Sequence, residues 1–272
     1  MAAGLVTALT VLLNSLFLVG GIFIYLALVR QIALRPAVEG VTGEERTFGL
    51  PEAVVAGCLA GLFLLNAWVA TSRTGAVTLQ TGDLLANSLL SVALLLFIAM
   101  FLHFRGINLN SLGGFAKFGF WRTFLTGLVL LFAAYPVLFL ADLLTQRILG
   151  GSSSKQGIVE MFTGSQTIEQ RALIIILAVA IAPLVEEFIF RFFLYGVLKR
   201  YLGVFAGILI NAALFALVHA HVPSAVPLFM LGICFTLAYE WSGSILVPMT
   251  MHALFNSMTL VALAFPELVQ QP

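Results

Sequence analysis

The chain has 272 residues, 61% of them hydrophobic and only 9% charged. A mean hydropathy of +1.09 excludes an ordinary soluble domain. With a net charge of +1 there is no basic reserve for nucleic acid and no acidic tail, so the composition is that of a polytopic membrane protein without a polyanionic partner.

Crossing a hydrocarbon core about 30 Å thick takes about 20 apolar residues. On that criterion eight spans are predicted, at 5–29, 51–71, 84–104, 120–144, 171–198, 203–219, 224–241 and 244–264. No Lys or Arg precedes the first run, Leu5 to Val29, which is longer than a signal-peptide core, so a retained membrane helix is expected. Polar or Gly-rich stretches join the early spans: RQIALRPAVEGVTGEERTFGLP, FRGINLNSLGGFAKFG and TQRILGGSSSKQGIVEMFTGSQTIEQ. In the last of these, Ile158, Val159, Met161 and Phe162 could form one side of a short interfacial helix. A gate over a site and a solvated linker both fit that pattern, and the linker is preferred because so short a pattern arises by chance.

After the fifth span the connections shrink to KRYLG, HVP and WSGS, so the last four spans are expected to be antiparallel neighbours in one bundle. The chain thus divides into a four-helix membrane region at 1–145, a loop at 146–170, a C-terminal bundle at 171–265 and a tail at 266–272. Internal repeats and low-complexity tracts are absent. Cys58 and Cys234 lie in apolar runs without a C-x-x-C and read as packing residues.

With the N-terminus outside, the inner loops hold Arg30, Arg35, Arg46, Arg105, Lys117, Arg122, Lys199 and Arg200, and the outer loops hold Arg73, Arg147, Lys155 and Arg171. Eight against four favours both termini outside. A multi-pass protein of the cell membrane is expected.

Ionisable residues at bilayer depth cost roughly 2.5–3.5 kcal/mol on insertion scales, so each needs a partner or a purpose. The fifth span carries three, in LVEEFIFRFF. Glu187 and Arg191 are four apart with the acid first, the favoured order for a helical ion pair. Glu186 sits about 140° around the helix from Arg191 at 3.6 residues per turn, so it must find polar company elsewhere. The sixth span puts Asn211, Phe215 and His219 on one stripe, and the eighth puts His252 and Asn256 on one face. Counted from the short turns at 1.5 Å per residue, Glu186 lies about 20 Å deep, His219 about 24, Asn256 about 18 and His252 about 12. Asn256 is therefore expected level with Glu186, and His252 one turn away. Five polar groups converging from three spans favour a functional site over hydrogen-bonded packing. Asp142 beside Gln146 and Arg147, Glu240 between Tyr239 and Trp241, and His221 are read as interfacial or solvated residues.

In order, E-E-x-x-x-R (Glu186, Glu187, Arg191), F-x-x-x-H (Phe215, His219) and H-x-x-x-N (His252, Asn256) resemble the three motifs of the CAAX prenyl endopeptidase and bacteriocin-processing family (CPBP, Abi-type), which includes the Ras-converting CAAX endopeptidases. AP before the glutamates and GSILVPMTMHALFNS around the last motif are similar as well. The resemblance covers about residues 171–265, and Phe192 departs from it where the family often has Gly. It implies an all-helical intramembrane endopeptidase whose catalytic bundle is 171–265, acting on a membrane-associated or lipidated peptide or protein in the lipid bilayer. By the same resemblance Glu186 and His219 would activate a water, His252 and Asn256 would stabilise the oxyanion, and Glu187 and Arg191 would orient the fifth span. Two His and a Glu could hold zinc with an open position, but H-E-x-x-H is missing, Asn is a poor zinc ligand and Arg191 adds positive charge. Catalysis without a cofactor is preferred, and zinc stays open. The alternatives are a non-catalytic scaffold or bacteriocin-immunity protein of the same fold, and a proton-relay transporter, disfavoured because no inverted repeats or broken paired helices are present.

Overall fold

In lipid, apolar runs find no water for their backbone groups, and a helix satisfies those groups internally. The computed structural model is helical throughout the residues it describes: 2–35, 47–72, 80–149, 157–165 and 167–265. Arg46, Arg73, Lys155, the Ile158 side chain and the tail at 266–272 lie outside them. Ten helices follow in order: α1 Ala2–Ala33, α2 Leu50–Ser72, α3 Thr81–Phe104, α4 Leu109–Gly113, α5 Phe120–Leu149, α6 Gly157–Gly164, α7 Ile168–Leu202, α8 Val204–Val218, α9 Ala225–Ser242 and α10 Leu246–Ala264. Seven of them (α1, α2, α3, α5, α7, α9 and α10) are long and apolar enough to cross a membrane. The sixth expected span is α8, whose 15 residues reach only about 22 Å at the helical rise. Large apolar side chains such as Phe23, Leu62, Trp68, Leu89 and Phe104 point outward, as a lipid solvent requires. This is a multi-pass integral membrane protein.

The N- and C-terminal regions share one core. Tyr25, Leu59, Leu102 and Leu131 join Phe193, Phe215, Phe235 and Met251 in a single buried cluster. Helix α5 is the hinge of that arrangement, packing on α1 on one side and on α9 and α10 on the other. Its internal Pro136 cannot donate a helical hydrogen bond. Gly21 of α1 faces it, and a Cβ there would come within 2.6 Å of the Ala133 carbonyl. Nearby, the Tyr25 hydroxyl donates to the Leu130 carbonyl at 2.9 Å.

Two local devices set the C-terminal bundle. Asn108 caps α4 by accepting from the amides of Asn110 and Ser111, and Gly114 ends it with φ of 60°. A side chain at Gly114 would collide with the Gly243 carbonyl, so this turn can lie flat on the α9–α10 connection. Between α8 and α9, Asn211 Nδ2 donates to Thr236 Oγ1 at 3.1 Å. Asn211, expected to face Glu186 with the rest of its stripe, is instead fully buried glue between neighbouring helices.

Helix α7 departs from the 3.6-residue geometry assumed from sequence. Residues Leu177–Ile181 and Phe188–Leu194 form π-helical stretches around the α-helical Ala182–Glu187. A wider turn advances the chain less per residue, so Glu186 lies closer to the Gly203 end than a straight α-helix would put it. Such stretches are rare and frequent at functional sites. Helix α6 forms within the expected loop, with Met161 and Phe162 buried against Ile174, Ala178 and Leu260. Cys234 is buried, whereas Cys58 is exposed on α2 instead of packed.

Candidate active site

The fifth span's acid–base order forms the expected pair. Arg191 Nη1 donates to Glu187 Oε1 at 2.9 Å, and both side chains are 0% exposed. Two charges out of water need excellent geometry to repay their desolvation. Aromatic faces cover the guanidinium, its carbon lying 4.2 Å from the Phe215 ring centre and 5.2 Å from that of Phe235.

The same carboxylate oxygen has a second duty that the sequence did not reveal. His252 Nδ1 lies 2.8 Å from Glu187 Oε1. A carboxylate bound to Arg191 only accepts, so Nδ1 carries the proton and the ring's Nε2 points the other way. There it meets Glu186, with 4.0 Å between Nε2 and Oε2. Glu186 is 30% exposed, in contrast to its fully buried neighbour. Of the two adjacent glutamates, one is locked inside the protein and the other faces open space.

His219 closes the end of α8. Its Nδ1 lies 2.7 Å from the Phe215 carbonyl, which can only accept, so in the neutral ring Nε2 keeps its lone pair. Ala220 follows with φ of 47°, a left-handed conformation that costs a non-glycine residue about 1–2 kcal/mol. That strain is stored directly beside His219. On α10, Asn256 Nδ2 donates to the Ala178 carbonyl, in the first π-helical stretch, at 2.7 Å. One amide hydrogen is thereby committed and the second remains for another acceptor.

Glu186, His219, His252 and Asn256 all line one cavity of about 500 Å³. It lies toward the end of the bundle where α8 stops and α9 begins, and its walls are mainly apolar. The expected depth order changes in one respect: His252, not Asn256, comes against Glu186, while Asn256 reaches the earlier π-helical stretch. Shortened advance along α7 accounts for it.

Sequence reasoning missed the contribution of α5. Tyr135, Leu138, Phe139 and Asp142, spaced along one helical face, form a wall of the same cavity. Asp142, expected at the interface beside Gln146 and Arg147, accepts from Gln146 Nε2 at 2.7 Å and also lines the cavity. The 3–4 spacing of Tyr135, Leu138, Phe139 and Asp142 was the available signal. His221 stands aside, its Nδ1 2.8 Å from Ser224 Oγ, and Glu240 lies at the far end of α9. Among the described residues, no group of three His, Cys, Asp or Glu side chains is placed to hold a metal ion. The site therefore does not fit zinc as arranged.

Residues 168–258 match the family described as Type II CAAX prenyl endopeptidase Rce1-like. The chain is 30% identical over 87 residues to the membrane-embedded CAAX protease MroQ of Staphylococcus aureus (strain USA300), covering 30% of this chain and 35% of that protein. It is 29% identical over 89 residues to the putative membrane peptidase YdiL of Bacillus subtilis (strain 168), covering 33% of this chain and 36% of that protein. The chain thus spans about a third of the length of these curated relatives. No solved structure matches. The matched segment holds every motif residue from Glu186 to Asn256, and the resemblance read from those motifs holds across it: at the level of the family, it is that of a membrane peptidase.

Proposed function

We propose that the protein is an intramembrane glutamate endopeptidase that cleaves a membrane-associated or lipidated peptide with a water activated by Glu186 and His219. The observation carrying this reading is that an acid, two imidazoles and an amide from three helices line one cavity inside an otherwise apolar bundle. Glu186, or His219 through its free Nε2, takes a proton from the water as it attacks the scissile carbonyl, and returns it to the departing amine. The second Nδ2 hydrogen of Asn256 donates to the developing oxyanion. His252 can donate there too when its ring carries both protons, because Nδ1–H is already given to Glu187. Glu187 and Arg191 do not touch substrate in this scheme; they hold α7 and set the His252 ring.

On this reading 171–265 is the catalytic bundle, and the region 1–145 completes the substrate cavity through α5. The cavity lies toward the end of the bundle opposite Lys199 and Arg200, so by the distribution of Lys and Arg it faces the outer side. The deciding experiment is comparative mass spectrometry of membrane peptides from cells with wild-type protein, Glu186→Gln or His219→Ala, followed by cleavage of the candidate by purified protein. Both variants are expected to leave the substrate intact. A phenotype that survives both would mark a scaffold or immunity protein.

A further inference from the structure

The basic residues that dominate the inner loops are far apart in sequence but not in space. Arg35 follows α1, Lys117 precedes α5, and Lys199 and Arg200 close α7. Arg35, Lys199 and Arg200 line a second cavity of about 390 Å³, at the opposite end of the bundle from the active site. The Lys117 ammonium lies against Gly243, which belongs to the same wall.

Glu240 is the single acid among the described residues lining this cavity. It is nearly buried and already engaged: Lys199 Nζ and the Tyr195 hydroxyl each reach it at 2.8 Å. Arg35 sets its guanidinium on the C-terminal end of α9, donating to the Glu240 carbonyl at 2.8 Å and the Trp241 carbonyl at 2.7 Å, with Nη1 also 4.0 Å from Glu240 Oε1. Among the described residues, four cations against one carboxylate leave an excess of three positive charges around the cavity, and the hydrogen bonds and ion pairs of Glu240 run to Arg35, Tyr195 and Lys199, with Arg200 and Lys117 outside that set. Aromatic rings of Phe48 and Phe192 form the apolar wall behind them.

We propose that this cavity is a headgroup site for an anionic phospholipid. The shared chemistry is a phosphate group, which two or more Lys or Arg side chains grip by charge-assisted hydrogen bonds. Position favours the lipid as its source. The cavity sits where α1, α7 and α9 end, at the level of the membrane interface, and exposed Leu34, Tyr201 and Leu202 beside the cations offer apolar surface to acyl chains. Basic pockets between membrane helices on the Lys/Arg-rich side suit such headgroups. The bound lipid would bridge α1, α7 and the α9–α10 turn, adding to the Arg35 contacts. This site is independent of the peptidase reading.

The test uses the full-length protein in nanodiscs, with native mass spectrometry counting retained lipids. Phosphatidylglycerol is expected to be retained over phosphatidylcholine. Each of Arg200→Gln and Lys117→Gln should weaken phosphatidylglycerol binding about 5-fold, at the usual value of one basic residue near an anionic surface. Melting of both variants in pure phosphatidylcholine should match wild type. If either melts earlier, the salt dependence of wild-type binding replaces it: loss of phosphatidylglycerol with rising sodium chloride supports the site, and insensitivity overturns it. Equal retention of the two lipids, or variants that bind like wild type, would also overturn it. Displacement of the lipid by millimolar inorganic phosphate would assign the cavity to a soluble anion and remove the lipid.

Discussion

Glu187 and His252, 65 residues apart in the chain, share a 2.8 Å hydrogen bond that ties α7 to α10 and aims the imidazole at Glu186. Glu187→Gln would keep an acceptor for His252 but leave Arg191 as a buried, uncompensated charge. Breaking a buried pair in this way costs about 3–5 kcal/mol, so the variant should melt well below wild type in detergent. Arg191→Lys should fare little better, since an ammonium cannot lie flat against the Phe215 face.

Glu186 should behave in the opposite manner. Its carboxylate faces the cavity and carries no ion pair comparable to that of its neighbour. Glu186→Gln is expected to abolish peptide cleavage while the melting temperature stays at the wild-type value. Parallel melting and cleavage assays on one preparation check this.

Asn256 has one hydrogen on the Ala178 carbonyl and one free for substrate. Asn256→Ala should lower kcat by about 100- to 1000-fold, the usual loss for one oxyanion donor, with little change in KM. Asn256→Asp should fail as well, because a carboxylate would face the Ala178 carbonyl with no hydrogen to give.

No step of the proposed reaction runs through a metal. Cleavage by purified protein is therefore expected to persist after dialysis against EDTA and in 1,10-phenanthroline. Loss of activity restored by zinc would overturn the role given to Glu186 and His219.

Gly21 marks the closest approach of α1 to α5, against the Ala133 carbonyl and Pro136. Gly21→Val should force the helices apart and displace the α5 wall that carries Tyr135 and Asp142. A lower melting temperature together with a raised KM is expected, measured against Gly20→Val, where nothing lies within 4 Å.

Much of the site could be read from the order of residues because it depends on local spacing. The 187–191 pair, the spare Glu186, and the facing imidazoles of the sixth and eighth spans follow from helical periodicity and the cost of charge in lipid. What escaped was whatever broke that periodicity or crossed the bundle. The π-helical stretches of α7 changed which residue of α10 meets Glu186, and nothing in LVEEFIFRFF distinguishes them from α-helix. Asn211 could have faced either neighbour, and only the close packing of α8 on α9 at Gly232 decides for Thr236. Asp142 looked like an interfacial residue because its neighbours, Gln146 and Arg147, are.

The wide turns of α7 make this helix sensitive to its length as well as its composition. Losing one residue in 192–194 would keep the spacing of Glu187 and Arg191 but let the segment tighten to ordinary winding, turning both of them, together with Glu186, relative to α8 and α10, even though every side chain of the candidate site remained in the chain. Evolution can exchange residues along this stretch far more easily than it can insert or delete one.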